Sequence, residues 1–173
     1  MLKSYQLLNK ITKKAAYFSL LGICVAALFT ATDIIMRNFF NKPILGSYEI
    51  TQLIFAVTVF ASFAYTQTEK GHINIVILLQ RFPQKLKFTV YALTAILSLV
   101  TSAAVTYAAF VMMNSVWTMN MITPQHRIPV YPFYGFAGIM MALFTVTLLF
   151  EVIQSIMAIF REDYAKQIEK DWV

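Results

Sequence analysis

The stretch that decides the fold is residues 88–119, FTVYALTAILSLVTSAAVTYAAFVMMNSVWTM, which contain no charged side chain. A helix of about 20 apolar residues crosses the hydrocarbon core of a bilayer, which is about 30 Å thick. This stretch exceeds that length, so we expect the helix to tilt or to protrude. The stretch therefore predicts a transmembrane helix and places the chain among membrane proteins.

Three further apolar segments accompany this stretch. Residues 16–36 contain a single charge, Asp33, and residues 50–68 contain none. Residues 133–160 are interrupted chiefly by Glu151. Each segment is long enough to cross a membrane as a helix, so the sequence predicts an all-α membrane protein with four transmembrane helices in one membrane domain. We place the spans at residues 16–36, 50–68, 88–113 and 134–157 of the single domain 1–173.

The composition excludes a soluble enzyme of this size. Hydrophobic residues make up 59% of the chain and charged residues 13%, whereas a soluble domain is about 25% charged. One cysteine, Cys24, cannot form an internal disulfide and cannot build a zinc site alone. The sequence contains no Gly-rich phosphate loop and no HExxH motif. We therefore expect no enzyme activity, no cofactor and no metal site.

The basic residues predict the orientation. Arg37, Lys42 and Arg127 fall in the first and third connections, whereas the rest of the 14 lie in the N-terminal tail, the second connection or the C-terminal tail. Because cytoplasmic segments carry the excess of Lys and Arg, both termini should be cytoplasmic. The net charge of +6 then reflects membrane topology and contact with phospholipid, not nucleic acid. His72 and His126 lie on opposite sides of the membrane in this topology and cannot share a haem or a metal.

The tails and connections carry predictions of their own. In residues 1–15, lysines and apolar residues occupy different helical faces, which predicts an amphipathic helix lying in the interface before it turns into the first span. Residues 71–82 are predicted to form a short in-plane helix, with Pro83 at the first position of the third span. Residues 161–173 are predicted to form a cytoplasmic tail. Three prolines within residues 124–132 predict an extended, stiff third connection.

Polar residues flank the first connection on the predicted outer side. Asp33 and Arg37 are four residues apart in the favourable order for a helical ion pair. A weak interfacial ion pair and a contact to a partner both remain open. Ser47 can cap the second span, and Glu49 lies in its first turn, where the helix dipole favours an anion; pairing of Glu49 with Arg37 or with another chain also stays open. The candidate partner-binding residues are Arg37, Lys42, Glu49 and Arg127.

Small and hydroxyl-bearing residues recur along the spans at helical spacing. Such residues let helices approach closely in lipid, whereas a permeation path would carry more amides and charges. We therefore interpret them as packing faces. The candidates are Thr58, Ser62, Thr94, Ser98, Ser102 and Gly138.

Glu151 places a carboxylate within the apolar fourth span. Asp33 and Glu151 are the two candidate intramembrane polar residues. A carboxylate in the membrane costs about 2.5–3.5 kcal/mol on insertion scales, so it must be paired, protonated or exposed to water. Two placements remain open. Glu151 either lies in the hydrocarbon and forms hydrogen bonds, or starts an interfacial helix after an early end of the span. For the first placement the predicted partner is a Ser or Thr of a neighbouring span or a group on another chain of an assembly. The best internal candidates are Thr94, Ser98 and Ser102.

Several short motifs occur in a fixed order along residues 33–83, DIIMRNFFNKPILGSYEITQLIFAVTVFASFAYTQTEKGHINIVILLQRFP. The first span ends in Asp and Arg, a Pro-Ile pair follows, and a Glu opens the second span. The motif residues are Asp33, Arg37, Pro43-Ile44, Glu49, Gly71-His72-Ile73, Pro83 and Ile128-Pro129-x-Tyr131. In this order and at these spacings the chain resembles the DctQ-like small membrane subunit of tripartite ATP-independent periplasmic (TRAP) transporters.

The resemblance implies a non-catalytic scaffold and docking subunit of a sodium-driven symporter in the bacterial inner membrane. The implied partners are a large multi-span membrane subunit, which carries the substrate and sodium sites, and a periplasmic substrate-binding protein. That protein would deliver an organic anion of the C4-dicarboxylate or sialic acid type. The transported anion is therefore expected to bind to other chains, and no cofactor is implied.

The residues alone leave one alternative, a small self-assembling four-helix exporter or channel. That class would need a charge near the middle of an early span, and the first three spans have none there. Neighbouring genes for a large permease and for a secreted binding protein would favour the transporter subunit over the exporter or channel.

Overall fold

The computed structural model describes the backbone of residues 2–69 and 83–160 and most side chains from residue 9 to residue 158 within them. These segments form the helices α1 (Leu2–Phe40), α2 (Ser47–Thr68), α3 (Gln84–Thr118) and α4 (Tyr131–Phe160). Each contains a stretch long and apolar enough to cross a membrane, which confirms the predicted all-α membrane fold. The predicted in-plane helix at 71–82 and the predicted tail at 161–173 lie outside the described residues.

Helix α1 corrects the prediction for the N-terminal segment. It runs without interruption from Leu2 to Phe40, so no turn separates an interfacial helix from the first span. Residues 2–21 contain neither proline nor glycine, and sharp changes of helix direction usually require such a residue. With 39 residues, α1 is about 58 Å long, roughly twice the thickness of the hydrocarbon core. Several turns of α1 must therefore extend beyond the core.

The four helices pack as an open row in the order α1, α2, α4, α3. Helix α1 packs on α2, α2 on α4, and α4 on α3, while α1 touches α4 only marginally. The α3–α4 contact is the most extensive, and α1 and α3 form the two ends of the row. Large apolar side chains remain exposed along α1 and α3, as expected for helices that face lipid or another membrane protein.

Small residues allow the closest helix contacts in the row. A Cβ atom on Gly22 of α1 would lie 2.1 Å from the Cγ2 atom of Thr58, so only glycine fits there. The Ser19 hydroxyl donates a hydrogen bond of 2.5 Å to the Thr58 carbonyl in the same contact. Between α4 and α3, a Cβ on Gly138 would lie 3.1 Å from the Phe110 ring. Close approach at small residues is the usual basis of helix association in lipid.

The ends of the helices fix where the connections leave the row. Asn41 follows α1 with φ 53°, and Asn120 follows α3 with φ 50°. Beyond Asn120, the Met121 N–H donates to the Val116 carbonyl at 3.1 Å, which completes a Schellman-type end. The N-cap residue of α3 is Pro83. The prediction that Pro83 is the first helical residue was therefore wrong by one position.

Candidate functional site

Asp33 organises the connection between α1 and α2, residues 41–46. Its Oδ1 accepts a hydrogen bond from the Ile44 N–H at 2.8 Å. Its Oδ2 accepts from the Ser47 hydroxyl and from Arg37 Nη2, each at 3.0 Å. The Asp33 side chain is nearly buried, whereas the Arg37 side chain is 61% exposed. The ion pair expected from the spacing is therefore present, together with two bonds that the spacing did not indicate.

The start of α2 differs from the prediction. Gly46 is the N-cap residue and has φ 70°, and no side chain caps the helix. Ser47 lies one residue inside α2, and its hydroxyl donates to Asp33. The prediction that Ser47 caps the helix was wrong because a charged acceptor lies within reach of its hydroxyl, and hydrogen bonds to charged acceptors are the stronger ones.

The third connection, residues 119–130, folds back on itself. The Thr123 N–H donates to the Ile128 carbonyl at 2.9 Å, and the Ile128 N–H donates to Thr123 Oγ1 at 3.1 Å. The Arg127 N–H donates to the Thr123 carbonyl at 3.1 Å. The connection was predicted to be extended, but residues 123–128 form a closed turn, because the amides between its prolines still donate hydrogen bonds. We call this segment the 123–128 turn.

Glu49 attaches the 123–128 turn to α2. Its Oε1 accepts from the Gln125 N–H at 2.9 Å, and its Oε2 accepts from the His126 N–H at 3.2 Å. The His126 Nδ1 atom lies 3.6 Å from the same Oε2. The Glu49 side chain is only 13% exposed. Glu49 therefore uses both carboxylate oxygens within the chain, for backbone amides of the turn and not for Arg37.

Gly46 brings the two connections into contact. Its φ of +70° is a backbone conformation that residues with a Cβ rarely adopt. A Cβ at this position would lie 2.0 Å from the His126 Cε1 atom and 3.1 Å from the Gln125 Oε1 atom. The first and third connections, residues 41–46 and 119–130, thus form one surface. We call this surface, together with the flanking residues Asp33, Arg37 and Glu49, the loop end.

The loop end presents its positive charges outward. Its two carboxylates, on Asp33 and Glu49, accept hydrogen bonds from within the chain. Arg37, Lys42 and Arg127 are exposed, and Arg127 adopts φ 52° within the turn. The exposed charged side chains of this surface are therefore basic, and one of them, Arg37, is paired with Asp33. Of the four predicted partner-binding residues, the structure leaves these three accessible and turns Glu49 inward.

Glu151 joins three helices away from the loop end. The Gln67 Nε2 atom of α2 donates to one carboxylate oxygen, and the Tyr91 hydroxyl of α3 donates to the other. Because Glu151 belongs to α4, this cluster ties α4 to both of its neighbours in the row. Glu151 is thus hydrogen-bonded within the chain, but the predicted partners were wrong. Those were Thr94, Ser98 and Ser102.

The predicted packing residues fall into two groups. Those at least half-buried are Thr58, Ser62, Ser102 and Gly138. Thr94 and Ser98 are exposed, so within this chain they form no packing face with Ser102. A repeat of four residues rotates by about 40° per step around a helix, so the stripe drifts from the free side of α3 toward α4. Only its later part reaches the contact, where the Thr106 and Thr145 hydroxyls lie 3.1 Å apart.

The sequence analysis did not identify as site residues four residues that take part in these contacts. They are Gly46, Gln67, Tyr91 and His126. Gln67 and Tyr91 carry no local signal, because an amide or a tyrosine near the end of a membrane span is ordinary. His126 lies in the third connection, and its contact with Gly46 bridges two connections far apart in sequence. The one usable signal is Gly46 itself, since a glycine just before a helix often supplies a positive φ.

The fold and these contacts define a multi-pass membrane protein in which Asp33, Glu49 and Glu151 join its own helices and loops. The family described as tripartite ATP-independent periplasmic transporters, DctQ component, matches residues 26–158. The chain therefore belongs to the DctQ family, which confirms the resemblance, and it is a transporter component and not an enzyme. Proteins of this family act in a tripartite complex with a large DctM subunit and a periplasmic binding protein. The chain matches none of the curated proteins or solved structures compared with it.

Proposed function

We propose that this chain is the scaffold and docking subunit of a sodium-driven importer of organic anions in the bacterial inner membrane. The large subunit carries the substrate and sodium sites, and this chain holds it in place. The anion is of the C4-dicarboxylate or sialic acid type. The bias of basic residues supports an orientation with both termini in the cytoplasm and the loop end in the periplasm.

One observation carries the scaffold role: every junction of the helix row is tied by polar bonds made within the chain. Asp33 ties α1 to the start of α2, and Glu151 ties α4 to α2 and to α3. A transport pathway needs polar groups that are free to bind the passing ion or anion. The carboxylates of Asp33, Glu49 and Glu151 already accept hydrogen bonds within the chain, which favours a static support over a self-assembling exporter or channel.

The cationic loop end supports the docking role. Arg37, Lys42 and Arg127 are exposed there, and a positive surface steers and orients a partner with an acidic face. The partner in this proposal is the periplasmic binding protein of the same transporter. Because such contacts are solvent-exposed, they should weaken as the salt concentration rises.

Reconstitution into proteoliposomes tests the proposal. The chain alone should take up no organic anion under a sodium gradient, and uptake should require the large subunit and the binding protein. In the complete transporter, Lys42→Glu should raise the half-saturating concentration of the binding protein, more so at low salt. Lys14→Glu, at the opposite end of α1, is the matched control and should leave that concentration unchanged. Uptake by the chain alone would overturn the scaffold role, and equal effects of the two reversals would overturn the docking role.

A further inference from the structure

The Glu49 side chain holds the 123–128 turn to the helix row. Its carboxylate accepts the two consecutive amides of Gln125 and His126, at 2.9 and 3.2 Å. Two acceptor oxygens facing two adjacent N–H groups fix both the position and the tilt of the turn. Because the acceptor is charged, these bonds are stronger than bonds between neutral groups.

The turn also has a defined internal shape. The paired bonds between Thr123 and Ile128 close it, and the Arg127 N–H donates to the Thr123 carbonyl. Arg127 has φ 52°, so the chain reverses sharply at this residue. Its side chain is exposed, directly after the two residues that Glu49 holds. The internal bonds therefore set the shape of the turn, and Glu49 sets its placement on the molecule.

We propose that Glu49 is a positioning residue that holds the 123–128 turn so that Arg127 meets an acidic patch on the periplasmic binding protein. Glu49 itself touches no partner, since its side chain is 13% exposed and both oxygens are engaged. A turn that is already fixed loses less entropy on binding than a free loop does. This inference rests on the proposed docking function.

The first test separates the attachment of the turn from transport. In the complete transporter, Glu49→Ala should speed hydrogen exchange of the Gln125 and His126 amides about tenfold, because both lose their acceptor. Glu49→Gln keeps one acceptor oxygen and should have an intermediate effect. Glu69→Ala, at the other end of α2 and exposed, is the matched control and should leave these amides unchanged. Unchanged exchange in Glu49→Ala would overturn the proposal.

The second test measures the half-saturating concentration of the binding protein during uptake. Glu49→Ala should raise it about fivefold, a change typical of one or two newly mobile groups, and by a larger factor than it lowers the maximal rate. Arg127→Ala should raise it as well, and the double variant should be no worse than Arg127→Ala, because Glu49 acts through the placement of Arg127. Fully additive effects would overturn this role of Glu49.

A comparison with Lys42→Glu distinguishes failure of this inference from failure of the proposed docking function. If Lys42→Glu raises the half-saturating concentration and Arg127→Ala does not, docking at the loop end stands and the role of Glu49 is wrong. If neither variant raises it, docking at the loop end is wrong and the role of Glu49 falls with it.

Discussion

The loop end and the Glu151 cluster use carboxylates in different ways. At the loop end, Asp33 and Glu49 together accept three hydrogen bonds from backbone amides, and Asp33 also accepts from the side chains of Ser47 and Arg37. Away from it, Glu151 accepts from two side chains, those of Gln67 and Tyr91. A backbone N–H is supplied by any residue except proline, so the loop end depends on the acids and on backbone geometry. The Glu151 cluster depends on three particular side chains from three helices.

The loop end and the Glu151 cluster should therefore differ in their tolerance to substitution. A change of side chain at Ile44 or Gln125 leaves the donated amide in place, so the loop end should tolerate it. A change at Gln67 or Tyr91 removes the donor itself. The loop end fixes how the chain connects its helices, whereas the Glu151 cluster fixes which helices stay adjacent in the membrane.

Glu151→Leu should have the largest effect. It leaves the Gln67 amide and the Tyr91 hydroxyl without their acceptor among apolar helices, at about 1–3 kcal/mol for each group. We expect a total loss of about 3 kcal/mol, read as a lower thermal unfolding midpoint and a lower yield of the purified transporter complex. Glu151→Gln keeps the shape and an acceptor oxygen, so it should be mild. Unchanged or higher stability of Glu151→Leu would show that the carboxylate does not hold the three helices together.

The sequence was sufficient to identify Glu151 as anomalous but not to identify its partners. A carboxylate in an apolar span needs compensation, and this requirement can be read from hydropathy alone. The choice of partner depends on how α3 is rotated about its axis. Because hydroxyl-bearing residues occur on both the free and the packed sides of α3, the pattern did not fix that rotation. Thr94 and Ser98 were therefore chosen, although they are exposed.

At the loop end, too, the sequence did not identify the contacts between residues that are distant in sequence. The pair of Asp33 and Arg37 follows from helical spacing, and the structure contains it. The bonds from Asp33 to Ile44 and Ser47 span 11 and 14 residues across a connection, and Glu49 reaches a turn 76 residues away. No periodicity relates such positions. They depend on the path of two connections and on the positive φ of Gly46.

Gly46→Ala should have the second-largest effect, and it acts on the loop end alone. The new Cβ would lie 2.0 Å from the His126 ring, and a left-handed φ costs a residue with a Cβ about 1–2 kcal/mol. We expect a loss of about 2 kcal/mol in the free energy of unfolding, with faster hydrogen exchange of the 123–128 turn.

Gly135→Ala is the matched control for Gly46→Ala. Its Cβ would meet the side chain of Met113, with the sulfur at 2.9 Å, and this flexible side chain can move aside. It should therefore cost clearly less and leave the turn unchanged. If Gly46→Ala and Gly135→Ala change the unfolding free energy and the exchange of the turn equally, the first and third connections do not depend on each other.

Thr106→Val should have the smallest effect. It concerns the contact between α3 and α4 at a level along the helices that neither the loop end nor the Glu151 cluster reaches. The Thr106 hydroxyl lies 3.1 Å from that of Thr145 across the α3–α4 contact, and such bonds in membranes are worth about 0.6 kcal/mol. Valine keeps the shape, so we expect a loss of about that size in the unfolding free energy. A double-mutant cycle with Thr145→Val isolates it.

Thr94→Val is the informative companion to that change. Within the described residues, the Thr94 hydroxyl donates to carbonyls of its own helix, those of Val90 and Tyr91, and the residue is exposed. The substitution should therefore be neutral for the chain by itself. If Thr94→Val destabilises the complete transporter more than Thr106→Val does, the Thr94 hydroxyl contacts another subunit. The free side of α3 would then be a protein interface. It would be a third region, in which polar side chains bind another subunit and not the chain itself.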